Sequence, residues 1–243
     1  MSKPHTPFRR QKITVLAVVM VLVSLLGVTT AYIQPNASPL AARMRGLVPP
    51  TTRMRGLVRM EEVRVEVQDT QRWVERVVMG LNLCPWARPV KASIRYVCTD
   101  ADAIGLYEAS LKPELELMAA DSAVETTVVV APNAPSDYPS FERLLQGVET
   151  MMMMQGLSTQ FQIVGFHPEF QFGVAPHEPW YGPPEEDPAH YTNRSPHPMV
   201  HLLRQASVNT AAQGYKGTRS VSQTNEQLLR DLGAAELEKL RTE

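Results

Sequence analysis

The sequence predicts an α/β fold, a single-domain sandwich with a small mixed sheet and with helices and strands alternating along the chain. Two observations predict it. Apolar spacing switches repeatedly between helical and strand periods from Asp69 onward. No Gly/Ser linker or second break in composition divides residues 61–243, a length that suits one core.

The elements follow in order. Val74, Val77, Val78 and Leu81 recur at helical spacing, Asp69 or Thr70 can cap their start and Pro85 stops them, so a first helix is expected over about 70–83. Ser93 to Cys98 alternates as a strand does, which makes Cys98 a buried, inert thiol in line with Ile94 and Tyr96. Helix formers follow from Ala101, and Pro113 either kinks that helix or opens a second. Val124 to Ala131 is β-branched and almost wholly apolar, the mark of a central strand buried on both faces. Phe141, Leu144, Leu145 and Val148 define a third helix, entered through Ser136 or Asp137 with Pro139 in its first turn; Met151 to Met154 is expected to fill core. Phe161 to Phe166 is a further strand. A helix from about Pro198 is expected to bury Met199, Leu202, Leu203 and Ala206, and Thr224 or Asn225 to cap a last amphipathic helix that Gly233 interrupts.

Charge divides the chain differently. Nine Lys and Arg residues precede the first acid, Glu61, whereas the totals are 24 basic and 25 acidic, so everything after Arg59 is strongly acidic. Nucleic acid is therefore not an expected partner of the domain, because nonspecific affinity for it comes mostly from cations on phosphates. Residues 1–60 read as a targeting presequence. Lys3 to Lys12 is basic, Ile13 to Val28 is an apolar run, and Thr29-Thr30-Ala31 suits cleavage, which makes 1–31 signal-like. Residues 32–60 are acid-free and repeat RMRGLV at 43–48 and 53–58, as a transit-like segment. This layout resembles the bipartite presequences that algae with complex plastids use, so a plastid location is expected. Secretion, or anchoring through residues 13–28, is the alternative: that run falls short of the roughly twenty residues that span a bilayer comfortably, though a tilted or thinned membrane accepts it. The mature domain is not expected to be membrane-embedded. Cys84 and Cys98 match neither a disulfide framework nor a zinc ribbon, and free thiols suit a reducing compartment.

Chemistry is expected in the connection 167–197, which is far longer than the usual 2–6 residues and holds His167, His177, His190 and His197 among seven prolines. It leaves the end of a strand, where open α/β sheets bind ligands. Cys84, at a Pro-terminated helix end, is either a small core thiol or a nucleophile held by a nearby histidine. Asn193, Arg194 and Ser195 at a helix entrance, with Arg204, suit a phosphate or carboxylate; in the plainer reading Asn193 or Ser195 caps a turn and Arg194 pairs with Asp187. His167, His197 and His201 could ligate a metal with Cys84, but the spacing is poor and His167 and His197 serve equally to pin the loop, so no metal is expected. No cofactor is specified by the sequence.

Three longer runs carry a resemblance. Asn82-Leu-Cys-Pro-Trp-Ala87, Phe166-His-Pro168 with Phe170-Gln-Phe172, and Tyr191-Thr-Asn-Arg-Ser-Pro-His-Pro-Met-Val-His-Leu-Leu-Arg204 resemble the family called domain of unknown function 1415, over about 70–232. Trp86 stands where the family is expected to have Phe. The resemblance implies a domain and not a reaction. Two classes of function remain. One is an enzyme acting on a small anionic substrate, with Cys84, His167 and His201 catalytic and Asn193, Arg194, Ser195 and Arg204 binding. The other is a noncatalytic binding or assembly module that presents Trp180, Tyr181 and Tyr191 on the stiff loop.

Overall fold

The computed structural model describes residues 64–172, 187–217 and 219–242. The presequence, His177, Trp180 and Tyr181 lie outside the described residues.

Helix α1 (Val65–Trp73) buries Val67, Thr70 and Trp73 and continues as a π-helical turn, Val74–Met79, that buries Val74, Val77 and Met79. It begins and ends earlier than periodicity predicts. Asp69 sits inside it rather than capping it, because Val65 and Val67 extend the apolar face upstream. At its other end Gly80 has no room for a side chain: a Cβ there would lie 1.8 Å from the Arg76 carbonyl oxygen. Asn82 then takes a left-handed turn at φ 55°, and Arg88 donates to the Met79 carbonyl at 2.6 Å. Cys84 therefore lies in the turns beyond the helix, not at its last residue.

Strand β1 (Ile94–Cys98) leads to a π-helical turn, Tyr107–Leu111, that runs into α2 (Lys112–Ala120), with Pro113 in the first turn where its missing N–H costs nothing. Strand β2 (Thr126–Val130) is buried at all five positions, as expected of a central strand. Helix α3 (Tyr138–Met154) is capped by the Asp137 side chain, which accepts from the Ser140 N–H at 2.9 Å. Of its four methionines only Met152 is buried, and Met151, Met153 and Met154 are exposed, which corrects their expected place in the core. Strand β3 (Phe161–Phe166) follows.

The largest correction concerns residues 199–204, which form strand β4 (Met199–Arg204) and not a helix. Six apolar-rich residues fit either element, and here pairing decides: β4 lies between β2 and β3, antiparallel to both, in the order β1-β2-β4-β3. β1 and β2 are parallel. The sheet is small and mixed, and helices cover both faces. Val129, Val200, Leu202, Phe161 and Ile163 face the buried side chains of α2 and α3. Gly165 allows this close approach, since a Cβ there would come within 2.2 Å of Leu145. Val128, Val130 and Met199 face Trp73, Val74 and Val77 of α1.

Helices α4 (Gln205–Gly214), α5 (Val221–Leu232) and α6 (Ala234–Thr242) end the chain. Ser220, not Thr224 or Asn225, caps α5, in a reciprocal box with Gln223. Asn225 is buried instead and donates to the Leu83 carbonyl at 2.8 Å. Gly233, at φ 78°, separates α5 from α6, and Leu229 and Leu237 carry both helices into the α1 core.

Candidate functional site

The described structure spreads the residues singled out in the sequence over both ends of β4, with Asn193, Arg194 and Ser195 before it and Arg204 as its last residue. β4 separates Arg194 from Arg204 by about 17 Å of strand, six residues at roughly 3.4 Å rise. Arg204 donates through one terminal nitrogen to the carbonyls of Met118 (2.5 Å), Asp121 (3.0 Å) and Val124 (2.8 Å). It thereby closes the C-terminal end of α2, where unpaired carbonyls favour a cation. Arg194 lies over the Tyr191 ring, 4.8 Å from its centroid, and donates to the Phe170 carbonyl. Asp187, its expected partner, is taken by Arg230 at 2.9 Å, which holds that carboxyl down at about 2.

The histidines have distinct surroundings. His167 is fully buried. Its Nε2 lies 3.0 Å from the Pro135 carbonyl, which can only accept, so Nε2 carries the hydrogen; Nδ1 accepts from the Glu169 N–H at 3.0 Å. Both nitrogens are committed, and burial lowers the pKa. His201, in the middle of β4, bonds the Thr126 hydroxyl at 2.6 Å, and burial pushes it down to about 4. Asn193 and Ser195 are buried braces: Asn193 donates to the Gly165 carbonyl, and Ser195 donates to the His197 carbonyl at 2.6 Å. Cys84 and Cys98 are both half-buried thiols whose pKa values burial raises, so neither is activated as a thiolate. Among the described residues no three His, Cys, Asp or Glu side chains are grouped as metal ligands.

A different set does converge. Asp69, Arg72, Trp73 and Arg76 of α1, Pro196 and His197 of the strap before β4, and Leu240, Arg241 and Thr242 of α6 line one cleft of about 200 Å³. The α1 residues fall at i, i+3, i+4 and i+7, one helical stripe. Asp69 joins two side chains: one oxygen is 3.2 Å from Arg72 and the other 3.2 Å from His197 Nε2. Arg241 forks onto Glu238, with its Nε 3.0 Å from one oxygen, and donates to the Ser195 carbonyl at 3.1 Å. Tyr191 donates to the same Glu238 oxygen, and these bonds lower the Glu238 pKa. Buried Trp73 forms part of the wall, and its indole Nε1 has no hydrogen-bond partner among the described residues.

This arrangement can attract an anion and move a proton. The stripe on α1 was legible in the sequence as Asp69-x-x-Arg72-Trp73-x-x-Arg76, had the acid been placed inside the helix rather than at its cap. Arg241 was not legible, because it meets α1 only through the fold.

No curated protein and no solved structure matches the chain. A family described as "Protein of unknown function (DUF1415)" matches residues 65–239, a span that includes every strand, α1 to α5 and the α1 and strap walls of the cleft. The chain belongs to that family.

Proposed function

We propose that the domain is an enzyme acting on a small organic anion in the cleft between α1, the 195–197 strap and α6. Arg72, Arg76 and Arg241 attract the anion, taking the role expected of Arg194 and Arg204, and His197 takes the proton-moving role expected of His167 or His201. The observation that carries this reading is the His197–Asp69 pair at 3.2 Å on the wall of a cleft with three guanidiniums. A carboxylate oxygen accepts, so Asp69 holds the hydrogen on Nε2 and leaves the Nδ1 lone pair as the base. Protonated at Nδ1, the same ring becomes the acid, and Asp69 steadies its charge.

The test is a turnover screen of the full chain against small organic anions, repeated with His197→Gln and Arg76→Gln. His197→Gln is expected to abolish turnover while an anion still binds, and Arg76→Gln to weaken binding itself. Anion binding without any turnover would support the noncatalytic alternative, and turnover that survives His197→Gln would remove His197 from the chemistry.

The same proposal places the domain in a plastid, delivered by residues 1–60. That rests on the acid-free, Arg-bearing composition of this segment. Among the described residues no helix is long and apolar enough to cross a membrane. A reporter fused behind residues 1–60 is expected to enter the plastid, and its secretion would overturn this location.

A further inference from the structure

We infer that a second copy of this chain docks on the outer edge of β1, strand against identical strand, antiparallel and centred on Tyr96, so that the two sheets become continuous. The topology leaves this edge free. β1 ends the sheet order and pairs only with β2 among the described strands. Main-chain groups of successive strand residues point to opposite edges, and the bonds from the Glu125 N–H to the Ser93 carbonyl and from the Thr99 N–H to the Val130 carbonyl turn the odd-numbered positions towards β2. Ile94, Tyr96 and Cys98 therefore aim their N–H and C=O groups outward, where no described strand takes them.

The opposite edge of the sheet differs. β3 buries Phe161, Ile163 and Val164, three of its six positions, whereas β1 buries none of its five. An edge meant for solvent is usually blunted by lysine, proline or a bulge. Ile94-Arg95-Tyr96-Val97-Cys98 has none of these: its register with β2 is unbroken, and its one charge is held by Glu114 at 2.8 Å. A groove of about 390 Å³ lies beside the strand, lined by Ser93 to Tyr96, Gln71 of α1 and Val124, and gives a partner's side chains room.

Charge names the occupant. From Gly80 to Thr99 the chain carries Arg88, Lys91 and Arg95 and no acid, and from Asp100 to Leu111 it carries Asp100, Asp102 and Glu108 and no base. One end of β1 is basic and the other acidic. Their ion-pair partners do not cancel this: Glu75 on Lys91 leaves the first end at +1 with Arg88, and Arg64 on Asp100 and Glu66 leaves the second at −2 with Asp102. A two-fold axis at Tyr96 sets Ile94 against the partner's Cys98 and Lys91 against the acidic stretch that begins at the partner's Asp100. Each basic end then meets an acidic one, whereas parallel pairing would lay like ends together. A closed dimer needs one surface that complements itself, and this edge does.

Analytical ultracentrifugation of the full chain, of Lys91→Glu, of Asp100→Lys and of the double variant tests this. The parent chain is expected to sediment as a dimer of 27.1 kDa protomers, and each single reversal to weaken dimerisation about tenfold by setting like charges together at both ends of the pairing. In the double variant the charges are exchanged across the interface, so dimerisation is expected to return although the pairs within each chain stay broken; damage to the fold would not be repaired this way. Tyr96→Cys is expected to form an interchain disulfide on mild oxidation, since a hydrogen-bonded antiparallel pair holds its Cα atoms about 5.5 Å apart. A monomer at every concentration would overturn the inference. So would a dimer that ignores both charge reversals and does not crosslink through Tyr96→Cys, because its interface would lie elsewhere on the chain.

Discussion

His167 and His197 lie at the same end of the sheet, where β3 ends and β4 begins, yet their surroundings differ in kind. His167 is sealed, with one nitrogen on a carbonyl, the other on an N–H, and the Phe141 ring 5.1 Å away. His197 is open to the cleft, and its Nε2 lies against a carboxylate. A histidine whose two nitrogens both serve the main chain is a structural crosslink. One that a carboxylate orients, with its other nitrogen unbonded among the described residues, can do chemistry. The two ends of β4 repeat the contrast for arginine: Arg204 donates to three main-chain carbonyls, whereas Arg72 and Arg241 lie on a cleft wall, each beside a carboxylate that orients it.

The comparison is broken most directly by exchanging the fates of the two histidines. His167→Ala is expected to cost about 3–4 kcal/mol, because it opens a cavity and orphans the Pro135 carbonyl and the Glu169 N–H. His197→Ala, half-exposed at the cleft, is expected to cost under about 1 kcal/mol. Denaturant unfolding of the two variants measures this, and equal losses would erase the distinction.

Acid sharpens it next. His201 has an ordinary value of 6.5 and about 4 in the fold, so the unfolded chain binds the extra proton between those values. The stabilisation is complete above about pH 6.5 and is lost as pH falls towards 4, by up to about 3 kcal/mol. Burial lowers His167 as well and adds to the loss in the same direction. In His201→Gln the drop in unfolding free energy between pH 7 and 4.5 should shrink; an unchanged drop would mean that His201 is not held neutral.

Arg204→Met is expected to cost about 2 kcal/mol, since it strips a charged donor from the end of α2. Loss of helix α2 protection in amide exchange locates the damage, and protection as in the parent chain would contradict the capping role. The smallest stability effect is expected at Arg76→Gln, under about 0.5 kcal/mol by thermal melting. A large loss there would mark Arg76 as another brace and weaken the cleft as an anion site.

Much of the frame was legible before any coordinates. Val124 to Ala131 is too uniformly apolar and β-branched for anything but a buried strand, and β2 lies there. Asp137-Tyr-Pro139 announces a helix start through a side-chain acceptor and a residue that needs no donor, and α3 begins there. Residues 199–204 were misread because six apolar-rich residues carry too little periodic signal to separate a strand from a helix turn, and Pro198 suits the start of either. The helix start at Asp69 was misread because an acid that looks like a cap can equally stand on the face of a longer helix.

What the sequence determined by itself was local and chemical: which segments are apolar, where helices can begin and end, that residues 1–60 are cationic, and that the long runs place the chain in its family. The tertiary structure alone decided which polar side chains meet. Asp69 and His197 are 128 positions apart, and Arg241 reaches the cleft only because α6 folds back across α1. Periodicity records which face of an element is buried, whereas a site is made by pairs of elements, and their pairing is set by how the strands order themselves within the sheet.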